Sequence, residues 1–159
     1  MIDIKKKPTA YAVVKGNKNY PDIEGKVDFY EAYGGTVVVA FVRGLPKGAE
    51  GGGLGFHGFH IHAGGACTED GQGEFSSAGG HYNPKNTAHP AHAGDLPPLL
   101  NNSGAAWMAV YTGRFYPEDV IGRTVIIHGG ADDFHTQPSG DAGEMIACGE
   151  IIAQDPEIR

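Results

Sequence analysis

The sequence predicts an all-β domain, and three observations carry that reading. The chain has 26 glycines and 10 prolines, about twice the usual share of glycine, with no fixed glycine period. Hydrophobic residues make up 40% of it, too many for a disordered chain. The apolar segments are short and rich in Val, Ile, Tyr and Phe, and no convincing helical period, internal repeat or linker interrupts them. The 159 residues fit one domain spanning 1–159.

The strands follow in order. "AYAVVK" (10–15) is β-branched. "KVDFYEAY" (26–33) alternates, with Val27, Phe29, Glu31 and Tyr33 on one face and Asp28, Tyr30 and Ala32 on the other. "YGGT" (33–36) makes a tight turn into "TVVVAFVRGL" (36–45), whose apolar run Val37 to Val42 is too short to span a bilayer. "GFHIH" (58–62) sends His60 and His62 to one side and Phe59 and Ile61 to the other, toward the core. "AAWMAVY" (105–111) is followed by "RTVIIH" (123–128), where Val125 and Ile127 share a face and His128 ends the opposite one. "MIACGEII" (145–152) closes the set.

Between the fourth and fifth of these segments, residues 63–103 show no strand or helix pattern. An irregular loop of about 40 residues in a small domain is functional or disordered, and this one is not low-complexity. A second irregular stretch covers 129–144. Antiparallel sandwiches gather function in such loops.

The formal net charge of −7 argues against nucleic acid or an anionic membrane as partner. The N-terminal "MIDIKKKPTA" lacks the apolar region of a secretory signal. The expectation is a cytoplasmic location as written, or a cell-envelope or secreted one if a leader has been removed. Cys67 and Cys148 read as two free thiols or as one long-range disulfide, and spacing does not decide between them.

The eight histidines carry the chemistry. Alone, the His60/His62 pair is a weak metal signal. The loop "GGHYNPKNTAHPAHAGDLPPL" (79–99) strengthens it, because His89, His92 and Asp95 recur every third residue and His81 lies just before them. Three imidazoles and a carboxylate form a tetrahedral ligand set suited to Zn²⁺.

At this point five motifs, "GFHIH", "AGGHYNP", "HAGDLP", "IGRTVIIHGGADD" and "GDAGEMIACG", resemble in order and wording the signatures of copper–zinc superoxide dismutases. The resemblance runs from about Gly58 to Ile152. It implies a Greek-key antiparallel barrel or flattened sandwich of eight strands with long metal-binding and electrostatic loops. It also implies copper held by His60, His62, His81 and His128, and zinc held by His81, His89, His92 and Asp95. Two four-coordinate metals need eight positions, and a bridging His81 lets seven side chains fill them. By the same resemblance Asp132 links a copper ligand to a zinc ligand, Cys67 and Cys148 form an intrasubunit disulfide, and Arg123 is structural. His57 and His135 match no ligand. His57 is expected at the surface ahead of its strand, and His135 as an ordinary loop residue. The implied substrate is the superoxide anion, disproportionated to oxygen and hydrogen peroxide. A homodimer is left open, since no long exposed apolar stripe is evident.

One position departs from the pattern. The family's arginine three residues before the second cysteine is Met145 here, preceded by Glu144. A neutral thioether does not attract an anion and a carboxylate repels it, so reduced substrate capture is expected. Neither Arg114 nor Arg123 is expected to replace the arginine, and Lys85 is a weak substitute. A non-catalytic relative that buffers or delivers copper and zinc is the alternative.

Overall fold

The computed structural model describes residues 6–47, 55–69 and 73–155. Eight antiparallel strands form one sheet: β1 (Ala10–Gly16), β2 (Glu24–Ala32), β3 (Gly35–Arg43), β4 (Phe56–His62), β5 (Asp95–Leu100), β6 (Ala106–Thr112), β7 (Thr124–His128) and β8 (Met145–Ala153). Their spatial order is β5-β4-β7-β8-β1-β2-β3-β6. The end strands β5 and β6 also lie against each other, so the sheet curls into a nearly closed Greek-key barrel.

The alternation read from the sequence sets which side chains fill it. Val27 and Phe29 of β2, Phe59 and Ile61 of β4, and Val125 and Ile127 of β7 are all fully buried in one cluster. Each such side chain contributes about 2 kcal/mol by leaving water. The turn between β2 and β3 has two residues, because Ala32 pairs with Gly35. Both turn residues, Tyr33 (φ 52°) and Gly34 (φ 75°), are left-handed, as the tight hairpin turn matching strand twist requires. Tyr111 steadies the strained Tyr33 by donating its hydroxyl to the Tyr33 carbonyl at 2.9 Å.

Four expectations need correction. The interval 63–103 is not wholly irregular, since it contains β5, whose Leu96 and Leu99 are buried. "DLPPLL" hides this strand behind two prolines. They are tolerated because β5 ends the sheet and hydrogen-bonds only to β4. A short helix, α1 (Pro117–Val120), stands where none was expected, with Pro117 in its first turn, where no N–H is needed. His57 is not a surface residue: it is the second residue of β4 and fully buried. Finally, an exposed apolar stripe exists on the outer face of β3 and β6.

Candidate metal centre

The site lies where the core histidines of β4 and β7 meet the two long loops. His60 and His62 leave β4 on the face opposite Phe59 and Ile61, and the loops cover them so completely that they are 0% and 2% exposed. Strand β7 runs antiparallel to β4, with His60 opposite Ile126, which brings its last residue, His128, to the same place. The loop after β4 folds back on its parent strand: Tyr82 donates its amide to Ile61 O at 2.8 Å and Ile61 donates to Gly94 O at 2.9 Å. His81 therefore lands beside His62, where an isolated bridge joins the two residues.

Two donor groups result. In the first, ring nitrogens of His60, His62, His81 and His128 lie within 4.8 Å of one another; in the second, those of His81, His89 and His92 lie equally close to an Asp95 oxygen. His62 Nε2 and His128 Nε2 are 3.4 Å apart. In the second group His81 Nδ1 is 2.7 Å from Asp95 Oδ1, and Asp95 Oδ2 is 3.0 Å from His89 Nδ1 and 3.2 Å from His92 Nδ1. The three-residue spacing works as read: Asp95 accepts the His92 amide at 3.0 Å through its side chain and returns its own amide to His92 O at 3.1 Å.

The outward nitrogens are already engaged, which sets the tautomers. His62 Nδ1 donates to Gly79 O at 2.7 Å and His128 Nδ1 to Gly143 O at 3.2 Å. His60 Nε2 donates to Asp132 Oδ2 at 2.7 Å, and His89 Nε2 donates to Asp132 Oδ1 at 2.8 Å. Each ring is left with an unprotonated nitrogen facing inward. Among the described residues, the buried His60 Nδ1 and His81 Nε2 have no hydrogen-bonding partner. Buried polar atoms without partners are costly, and clustered imidazole lone pairs suit a metal ion. An all-imidazole set fits copper; three imidazoles with a carboxylate fit zinc. The donors present thus fit both ions.

Electrostatics favours neutral rings. Burial lowers the pKa of His60, that of His62 well below the usual histidine value, and that of His128 to about 3, with neighbouring histidines adding to the effect in each. Burial alone would raise the Asp132 carboxyl, but hydrogen bonds from His60, His89 and the Phe134 amide outweigh it and hold it well below the usual range. Asp95 is lowered as well: burial opposes the shift, and the hydrogen bond and charge of His81 drive it, with His89 and His92 contributing.

Supporting contacts fix the loops. The Cys67–Cys148 disulfide ties the first loop to β8. Gln137, in the second loop, pairs reciprocally with the His89 backbone, accepting its amide at 2.9 Å and donating to its carbonyl at 2.7 Å. Gly140 (φ +76°) approaches so closely that a Cβ there would stand 2.0 Å from Asp132 Oδ1 and 2.7 Å from His89 Nε2. Nothing in the sequence marks Gln137 or Gly140. His57 had a signal: carrying the β4 alternation back one step places it on the core face with Phe59. There it donates Nδ1–H to His128 O at 2.9 Å and accepts from Asn101 Nδ2 at 3.0 Å.

Met145 pairs with His128 in register and packs against the small cluster of Phe75, Ala78, Ile126 and Cys148. Glu144 accepts the Tyr20 hydroxyl at 3.0 Å. The two arginines are occupied elsewhere. Arg114 donates to Pro90 O and His92 O at 2.9 Å each. Arg123 donates to Ala63 O and Asp119 O and stacks over the Tyr82 ring. Lys85 is exposed on the first loop, and His135 is an exposed loop residue beside Asp133.

A family model described as copper/zinc superoxide dismutase matches residues 23–151. The chain is 38% identical over 141 residues to the Cu-Zn superoxide dismutase of Escherichia coli (strain K12), covering 80% of this chain and 78% of that protein. It is 36% identical over 152 residues to that of Pasteurella multocida (strain Pm70), covering 86% and 76%. Among solved structures, the Cu/Zn superoxide dismutase from Brucella abortus superposes with a TM-score of 0.74 at 29% identity, over 89% of this chain and 98% of that one. With a matching family model, relatives above 30% identity and the same barrel, the chain belongs to the copper/zinc superoxide dismutase family.

Proposed function

We propose that the chain is a superoxide dismutase that converts two superoxide anions and two protons into oxygen and hydrogen peroxide, with a slowed capture step. Copper would be held by His60, His62, His81 and His128, and zinc by His81, His89, His92 and Asp95. The observation that carries this reading is the double membership of His81. Its Nδ1 faces Asp95 at 2.7 Å, while its Nε2 is buried beside the other donor set with no hydrogen-bonding partner among the described residues.

When bound, copper supplies the one-electron chemistry and zinc supplies fixed charge. The protein's own groups hold geometry and protons. Asp132 joins His60 to His89 and so couples the two donor sets through one carboxylate. His81 Nε2, which has no partner among the described residues, is an atom at which a proton can reside. Met145 stands beside His128 in the place the resemblance assigns to a guiding cation, and the packing of its side chain in the disulfide cluster supports a structural role there.

The test is stopped-flow dismutation together with metal content on the same sample. The expected result is one copper and one zinc per chain, with activity above free-ion background. Met145→Arg should raise the bimolecular rate by about tenfold or more and steepen its salt dependence. Copper-loaded protein with no activity above background, and no gain in Met145→Arg, would replace the enzyme with a metal-holding relative.

A further inference from the structure

His89, His92 and Asp95 come from one short stretch of chain, in which the Asp95 carboxylate meets the rings of the two histidines. The stretch has few backbone bonds of its own. The Ala91 amide donates to Ala88 O at 2.8 Å, and the Asp95 amide to His92 O at 3.1 Å. Two of its carbonyls, those of Pro90 and His92, are met by a side chain from another part of the barrel. Arg114 donates to both from Nη1, at 2.9 Å each, across 24 and 22 residues of chain. One nitrogen carrying two N–H groups spends both on the turn.

Arg114 is itself placed by the packed barrel. It follows the end of β6 by two residues, and its amide donates to Thr112 Oγ1 at 3.2 Å. Thr112 pairs with Thr36, whose hydroxyl donates to Phe115 O at 2.8 Å in the interior. Phe115 is buried and lies against Phe29, with ring centroids 6.5 Å apart. The residues on both sides of Arg114 are therefore fixed, and its side chain carries that rigidity across to the first loop.

An exposed arginine is ordinarily a solvated charge or half of an ion pair of small worth. This one acts on backbone instead. A groove of about 410 Å³ runs along the junction, lined by Arg114 together with Asp95 and Asp132. Both carboxylates are taken by histidine rings, and the guanidinium bonds carbonyls, for which a charged donor is stronger than a neutral one. Its charge works against a cation held nearby. Only the geometry it imposes can favour such a site.

We propose, on the zinc reading of His81, His89, His92 and Asp95, that Arg114 is a positioning residue for that half of the centre. It clamps the Pro90 and His92 carbonyls so that His89 and His92 present their rings to Asp95 at the observed spacing. Gln137 holds the same stretch at the His89 backbone, and Arg114 holds it at the two following contacts.

The test compares three variants of the full chain. Arg114→Met keeps an unbranched apolar stem and removes both donors, Arg114→Lys keeps the charge, and Arg43→Met removes a charge that pairs with Glu24 on the barrel. Chelator competition gives zinc and copper affinities separately. Amide hydrogen exchange of the metal-free chain reads Ala91, His92 and Asp95. Arg114→Met should weaken zinc binding about tenfold or more, with copper binding changed far less, and should speed exchange at those amides. Arg114→Lys should recover part of the zinc affinity, and Arg43→Met should match wild type in every measurement. A purely electrostatic role has the opposite sign, because loss of a neighbouring cation would tighten zinc binding. Unchanged or tighter zinc binding in Arg114→Met overturns the proposal, as does equal loss of both metals or unchanged amide exchange. Wild-type protein that takes up no zinc overturns the zinc reading, and exchange in the metal-free chain then still decides whether Arg114 holds the turn.

Discussion

His57 donates its Nδ1–H to the backbone carbonyl of His128 at 2.9 Å, from a position with no solvent exposure. Asn101 closes the other side of the ring and also donates to Pro46 O at 2.7 Å. A residue outside both donor groups thus fixes the end of β7, where a proposed copper ligand sits. Replacing it with leucine leaves the His128 carbonyl without this donor and deprives Asn101 of one acceptor. His57→Leu should cost about 2–4 kcal/mol of stability and weaken copper binding more than zinc binding. Urea unfolding and competition with a chromophoric chelator would measure the two effects separately.

Asp132 bonds both His60 and His89 through separate oxygens. An amide at this position can accept only one of those bonds, and its NH₂ would confront the other ring N–H. Asp132→Asn should therefore reduce metal affinity about 10- to 100-fold with little change in the barrel. Chelator titration alongside the near-ultraviolet signal of the folded chain checks both halves of this expectation.

The Cys67–Cys148 bridge closes a loop of 81 residues. Chain-entropy reasoning assigns a loop of that size about 4 kcal/mol. The double variant Cys67→Ser/Cys148→Ser should lose stability of that order. It should also become sensitive to protease between residues 63 and 80, because Phe75, Ala78 and Met145 pack around the bridge. Denaturant midpoints and mapped cleavage sites test this.

In the metal-free protein, acid should destabilise the fold well above the usual carboxylate range. Burial lowers the folded-state pKa of His60, His62 and His128, the last to about 3, against 6.5 for a free histidine. Below pH 6.5 the unfolded chain binds more protons than the folded one. Stability therefore falls as pH drops from 6.5 toward 3, by up to about 1.4 kcal/mol per pH unit for each such ring. Asp132, whose folded pKa is depressed, adds a loss of the same sign below about pH 4. Unfolding midpoints from pH 7 to pH 4, compared with and without bound metal, provide the measurement.

What the sequence could reveal follows from the range of each interaction. Alternation in "GFHIH" and "RTVIIH" is local: it sent Phe59 and Ile61 toward the core and put Val125 and Ile127 on one shared face, and all four are buried there. The spacing of His89, His92 and Asp95 is also local, and the turn joining them is the one observed. β5 escaped because its prolines outweigh its two buried leucines in any local reading, and only its place at the end of the sheet makes them tolerable. Gln137 and Gly140 act on His89 across more than forty residues of chain, a distance at which composition and period carry no signal. The exposed stripe of Phe41, Trp107 and Tyr111 was similarly invisible, since it arises from the register between β3 and β6 and not from either one alone.

The close approach of Gly140 to Asp132 and His89 has a further consequence for redesign. The loop that follows β7 and the loop that follows β4 meet there with no room for even a methyl group, and Gln137 stitches the same two segments together. They behave as one mechanical part assembled from two stretches of sequence. Transplanting either loop onto another barrel without its counterpart should deliver a chain that folds, yet holds its histidines out of alignment.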